Sequence, residues 1–121
     1  MDNQKIYIEG APQGAPFLEI KIADNFFSRF AGLMFQKSLP RATGLLLIPC
    51  NSVHMCFMRF AIDIVYLDKE YKILKVVKNL RPWIGLSMCR NAWATLEIAS
   101  GEADRCGLAV GKKLVRKESE L

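Results

Sequence analysis

Hydrophobic and polar positions alternate with period two over several short stretches. Residues 5–9 read KIYIE, 17–22 read FLEIKI and 93–98 read WATLEI, each the pattern of a half-buried strand. Residues 45–48, 53–57 and 62–67 are short apolar runs bounded by turn-forming residues, which predicts buried strands. Asp68, Lys69 and Glu70 supply a turn into 72–78, KILKVVK, a β-branched stretch with strand character. A closing strand is predicted over 113–116. Helical spacing occurs once at length: Phe26, Phe27, Phe30, Leu33 and Met34 form a stripe behind an N-cap at Asp24 or Asn25, ending near Phe35. Ser100 is expected to cap a short helix over 101–106 that Gly107 stops. GAPQGAP at 10–16 is a loop, and 81–91, with Pro82 and Gly85, is expected to be irregular.

Strands and helices do not alternate, which argues against a doubly wound parallel sheet. The expected fold is mainly β (α+β): a small antiparallel, barrel-like sheet with one longer and one short helix. Residues 1–121 form a single domain with its core over 17–116, and KESEL at 117–121 is a frayed tail.

Composition adds limits. The chain has 121 residues, 51% hydrophobic and 24% charged, enough for a core without staples and unlike a disordered segment. Its longest apolar runs are far short of the roughly 20 residues of a membrane span. The start, MDNQKIYIEG, lacks a secretory signal, so a cytoplasmic location and no membrane partner are expected. Cys50, Cys56, Cys89 and Cys106 are irregularly spaced with no C-x-x-C, which predicts four reduced thiols, two disulfides being the alternative. The net charge is +5, and Lys69, Lys72, Lys75, Lys78 and Arg81 recur every third residue. On a strand that spacing alternates faces, and no nucleic-acid motif accompanies it. Strong nucleic-acid binding is therefore not expected, and neither is an oligomer.

The chemistry concentrates in residues 49–68, PCNSVHMCFMRFAIDIVYLD. A buried strand should not carry Ser52, His54, Arg59 and Asp63 unless each has a partner. If 52–58 is extended, Ser52, His54, Cys56 and Met58 share one face and Val53, Met55 and Phe57 the other. His54 is then expected to be partly buried beside a polar cavity, bonded to Asp63 or to a carbonyl. An enzyme would use His54 with Cys56 or Asp63. However, neighbours two apart on a strand are separated by roughly 6.5 Å, and no oxyanion hole is recognisable. Cys50, His54, Cys56 and Cys89 do not have the spacing of a zinc site, so no metal or cofactor is expected. Arg59 and Asp63 form an internal ion pair or, in the functional version, grip an anionic ligand. Arg29 on the longer helix and Trp83 after Pro82 are further candidates for the pocket.

Several ordered motifs carry a resemblance: Arg29 with Gly32-Leu33-Met34, Gly44-Leu45-Leu46, Met58 with Asp63, Leu67-Asp68, Leu96-Glu97 with Gly101, and Gly107-Leu108 with Gly111. Over about residues 17–114 the chain resembles the small prokaryotic family called domain of unknown function 192. The resemblance implies a β-rich, barrel-like fold and no established activity. Tyr71 stands where that family usually has a turn glycine, so a longer or differently shaped hairpin is expected there. Ala61 replaces a frequent proline, and Lys112 an acid. The functional expectation is a small binding or accessory module whose polar pocket takes a small polar or anionic ligand. A small hydrolase or transferase is the alternative, and a weak polyanion or RNA binder the third.

Overall fold

The computed structural model describes residues 4–23, 39–56 and 58–118. Within them a seven-stranded sheet runs in the order β6-β5-β8-β3-β2-β1-β9. Its strands are β1 (Gln4–Ile8), β2 (Leu18–Ala23), β3 (Thr43–Leu47), β5 (Ile62–Leu67), β6 (Ile73–Leu80), β8 (Ala94–Ala99) and β9 (Leu114–Glu118). A second, two-stranded sheet pairs β4 (Ser52–His54) with β7 (Leu86–Met88). Neighbours are antiparallel throughout except β2 and β3, which run parallel. The two outer strands of the large sheet curl toward each other. Lys72 bridges Lys113, Ile73 N–H donates to the Lys112 carbonyl at 2.8 Å, and Leu114 N–H to the Tyr71 carbonyl at 2.8 Å. The mainly β fold is thus a curled half-barrel. The predicted longer helix, with Arg29, lies outside the described residues. The one helix among those described is α1 (Glu102–Arg105).

The central strands β5 and β8 are buried on both faces. On one face Ile6, Ile20, Leu46, Val65, Leu96 and Ile98 make the larger core, closed by Ala103 and Cys106 of the α1 region. On the other, Ile62, Ile64 and Tyr66 lie beneath Val53, Met55 and Met58 of the β4–β7 flap. Each such fully buried side chain contributes roughly 1.5–3 kcal/mol. The flap's turn is tight: a Cβ on Gly85 would sit 2.7 Å from Met55 Cγ and 2.8 Å from Leu80 Cγ and would collide with the Arg81 carbonyl.

Four local expectations need correction. β7 lies inside the stretch expected to be irregular: Pro82 and Gly85 only shape the turn before it. β4 stops at His54, because Met58 N–H turns back to the Met55 carbonyl at 3.0 Å. The single face expected for Ser52, His54, Cys56 and Met58 is therefore broken, with Cys56 exposed and Met58 buried. Ser100 does not cap α1. Its hydroxyl donates to Asn79 Oδ1 at 2.9 Å, and the N-cap is Gly101 with φ +95°. Finally, Tyr71 adopts the left-handed turn conformation itself, at φ +64°. Its ring stacks on Trp93, with centroids 6.3 Å apart, and its hydroxyl accepts from Arg116 Nη1 at 2.6 Å. These contacts offset the cost of such a backbone to a non-glycine residue, about 1 kcal/mol in a turn.

Candidate functional site

Strand pairing sets one acid in the middle of the sheet. Glu97 of β8 faces Leu45 of β3 on one side and Ile64 of β5 on the other. Directly opposed residues share a face, so the Glu97 side chain lies on the flap side, above two aliphatic neighbours. It is 7% exposed and has no hydrogen bond or ion pair among the described residues. Removal from water penalises the charged form, and its pKa is pushed up from 4.5 to about 7. One row along, Tyr66 faces Thr95 on the same side. The Thr95 hydroxyl donates to the Cys50 carbonyl at 2.8 Å.

The flap brings a second polar group inward. Ser52 and His54 of β4, with Leu86 and Met88 of β7, point outward, so Ser87 between the last two points in. The Ser87 hydroxyl and the Tyr66 phenol are both buried without a well-formed hydrogen bond. Burial is the larger influence on the phenol and raises its pKa. Nearby Ser87 opposes that rise, while charge on Cys50, Cys89 or Glu97 would reinforce it. The two buried hydroxyls are costly for folding, at roughly 1–3 kcal/mol each, and with the Glu97 carboxyl on the same face they are suited to receiving a ligand's polar groups.

The residues singled out from sequence are dispersed. Asp63 is buried at 1% exposure, but it alternates with Ile62 and Ile64 and so faces the opposite side of β5 from the flap. Its Oδ1 accepts from Asn79 N–H at 2.9 Å, and its Oδ2 from Gly101 N–H and Ala103 N–H, each at 3.0 Å. The acid therefore ties β5 to the end of β6 and the start of α1. His54 and Ser52 are exposed on the outer side of the flap, and Arg59 is exposed without an ion pair to Asp63. Trp83 is exposed at the flap turn with φ +66°. Arg29 is outside the described residues. Cys56 is exposed and all four cysteines are free. Among the described residues, no three His, Cys, Asp or Glu side chains group closely enough to hold a metal ion.

Sequence reasoning passed over Glu97, Tyr66 and Ser87. In WATLEI, Thr95 and Glu97 read as the solvent side of a half-buried strand, which holds only where one face of the sheet is wet. The available signal was an acid flanked by aliphatics on a strand short of charge.

The family model DUF192, described as "Uncharacterized ACR", matches residues 8–116. A UPF0127 protein of Pyrococcus furiosus is 34% identical over 102 residues, covering 80% of this chain and 85% of that protein. One from Pyrococcus horikoshii is 37% identical over 70 residues, covering 54% of this chain and 58% of that protein. A crystal structure of a protein of unknown function from Novosphingobium aromaticivorans superposes with a TM-score of 0.78 at 20% identity, over 93% of this chain and 83% of that one. At that identity the likeness shows the fold alone.

Proposed function

This chain belongs to the uncharacterised DUF192 family, and from its geometry we propose that it is a small-ligand binding module whose site is built around Glu97. The observation that carries the reading is the Glu97 carboxyl itself, nearly buried between Leu45 and Ile64 and without a partner among the described residues. A buried carboxylate repels an anion. Of the polar and anionic ligands expected from sequence, the donor-bearing polar class fits, and a protonated amine fits best, because it supplies both the hydrogen bond and the missing charge. The Tyr66 and Ser87 hydroxyls would orient the rest of such a ligand. In this reading Asp63 is structural, while Ser52, His54, Arg59 and Trp83 belong to the outer surface. The protein is a single cytoplasmic domain, consistent with its four free thiols.

A panel of primary amines with matched alcohols, titrated into labelled protein and followed by amide NMR shifts, tests the proposal. Saturable shifts at Thr95 to Ile98 for the amines, lost in Glu97→Gln, are expected. Equal shifts in wild type and Glu97→Gln, or none in wild type, overturn it. An acid–base enzyme is the second reading, favoured by the Glu97 pKa of about 7, which suits proton transfer near neutrality.

A further inference from the structure

The outer side of the flap carries large apolar side chains that are largely exposed to solvent. Ile84 is 78% exposed, Leu86 77%, Met88 65% and Trp83 56%. Leu86 and Met88 are two apart on β7 and share a face, and they pair across to His54 and Ser52. Trp83 and Ile84 project from the turn before β7, whose backbone is closed by Gly85 N–H on the Arg81 carbonyl at 3.0 Å and Trp83 N–H on the Met55 carbonyl at 2.7 Å. The patch thus lies at the tip of the flap, on a turn held by its own backbone hydrogen bonds.

Its electrostatic setting is one-sided. Residues 49–62 and 79–93, which build the flap, contain Arg59, Arg81 and Arg90 and no aspartate or glutamate. All three arginines are exposed. Lys75 joins them, its Nζ donating to the Met88 carbonyl at 2.9 Å.

We infer that this tip docks the protein on an anionic lipid surface, with Trp83, Ile84, Leu86 and Met88 entering the interface and Arg81, Arg90 and Lys75 meeting the headgroups. Both halves of the chemistry are used. Apolar side chains gain by leaving water, and basic ones gain about 1 kcal/mol each near an anionic leaflet. Other occupants use only one half. A second copy would set arginine against arginine. A nucleic acid would reward the cations but not Ile84, Leu86 and Met88, which offer no stacking face. A fluid interface also demands no complementary shape of the patch. The expectation of no membrane partner came from the absence of a span, and a surface patch leaves no such trace in the sequence.

Co-sedimentation of the whole chain with phosphatidylcholine vesicles containing about 30 mol% phosphatidylglycerol tests the inference. Binding is expected to weaken at least about tenfold in high salt and in Arg81→Glu/Arg90→Glu, as screening or reversal removes the electrostatic share. Binding is expected to fall similarly in Ile84→Ser/Leu86→Ser, whose changes are at exposed positions and leave the fold intact by circular dichroism. Failure to sediment with these vesicles overturns the inference. So does sedimentation unchanged by Ile84→Ser/Leu86→Ser. Capture of an acidic peptide or an oligonucleotide in place of vesicles reassigns the face and overturns it as well.

Discussion

Asp63 Oδ2 accepts the backbone N–H of Ala103 at 3.0 Å across 40 residues of chain. The same carboxylate takes Gly101 N–H and Asn79 N–H, so one side chain satisfies three amides that the sheet and the short helix leave open. Asp63→Ala leaves these donors without their acceptor and is expected to cost roughly 2–4 kcal/mol. Asp63→Asn should cost nearly as much, because its amide group would point N–H at N–H. Urea denaturation is the measurement, and a midpoint within error of wild type for either variant would refute the clamp.

The origin of this clamp shows how far the sequence could be followed. Asp63 was recognisable as a buried polar residue in need of partners, because it interrupts an apolar strand. Its partners were not recognisable, since they are main-chain amides brought in by tertiary structure rather than the Arg59 guanidinium four residues away. The strands at 62–67 and 93–98 were legible from their periodicity. Glu97 was not legible as a site residue, because period two gives the face of a strand and not whether that face is covered. β7 was obscured by Pro82 and Gly85, which mark the turn but do not forbid three extended residues after it. The family-like motif did contain Leu96-Glu97, without saying what the acid does.

The raised pKa of Glu97 gives stability a definite pH dependence. The folded protein holds this proton to about pH 7, whereas the unfolded chain releases it near its ordinary value of 4.5. Between those values the folded state binds more protons, so stability is full below about pH 4.5 and is lost as pH rises through 7. The integrated loss is about 3 kcal/mol for a shift of this size. Glu97→Gln removes the titration, so its advantage over wild type should grow from pH 5 to pH 8 in urea denaturation. Parallel pH profiles for the two proteins would contradict the assignment.

Tyr71 tests whether its contacts outweigh its strain. Tyr71→Gly relieves the cost of φ +64°, about 1 kcal/mol for a turn of this kind, but deletes the Trp93 stack and the Arg116 hydrogen bond. The aromatic pair alone is worth about 0.5–1.5 kcal/mol beyond its buried area. Net destabilisation of about 1–2 kcal/mol is expected by thermal melting. A glycine variant more stable than wild type would mean that the tyrosine is tolerated, not used.

The cysteines should differ in reactivity in an order set by exposure and thiolate fraction. Cys56 is exposed, Cys50 and Cys89 are half-buried, and Cys106 is buried among the larger core. Burial also pushes the Cys106 thiol up, so that less of it is thiolate at neutral pH. Only the thiolate reacts, so access and ionisation act in the same direction at this position. Cys50 is further restrained, its Sγ–H donating to the Ser52 carbonyl at 3.2 Å. Brief iodoacetamide treatment of the native protein, read by peptide mass spectrometry, should label Cys56 first and Cys50 and Cys89 more slowly. Cys106 should react only in denaturant, where four adducts are expected without prior reduction. Cys56→Ser should abolish the fast phase alone. Fewer than four adducts in denaturant would reveal a disulfide, and early labelling of Cys106 would show that the core around α1 opens far more readily than its packing implies.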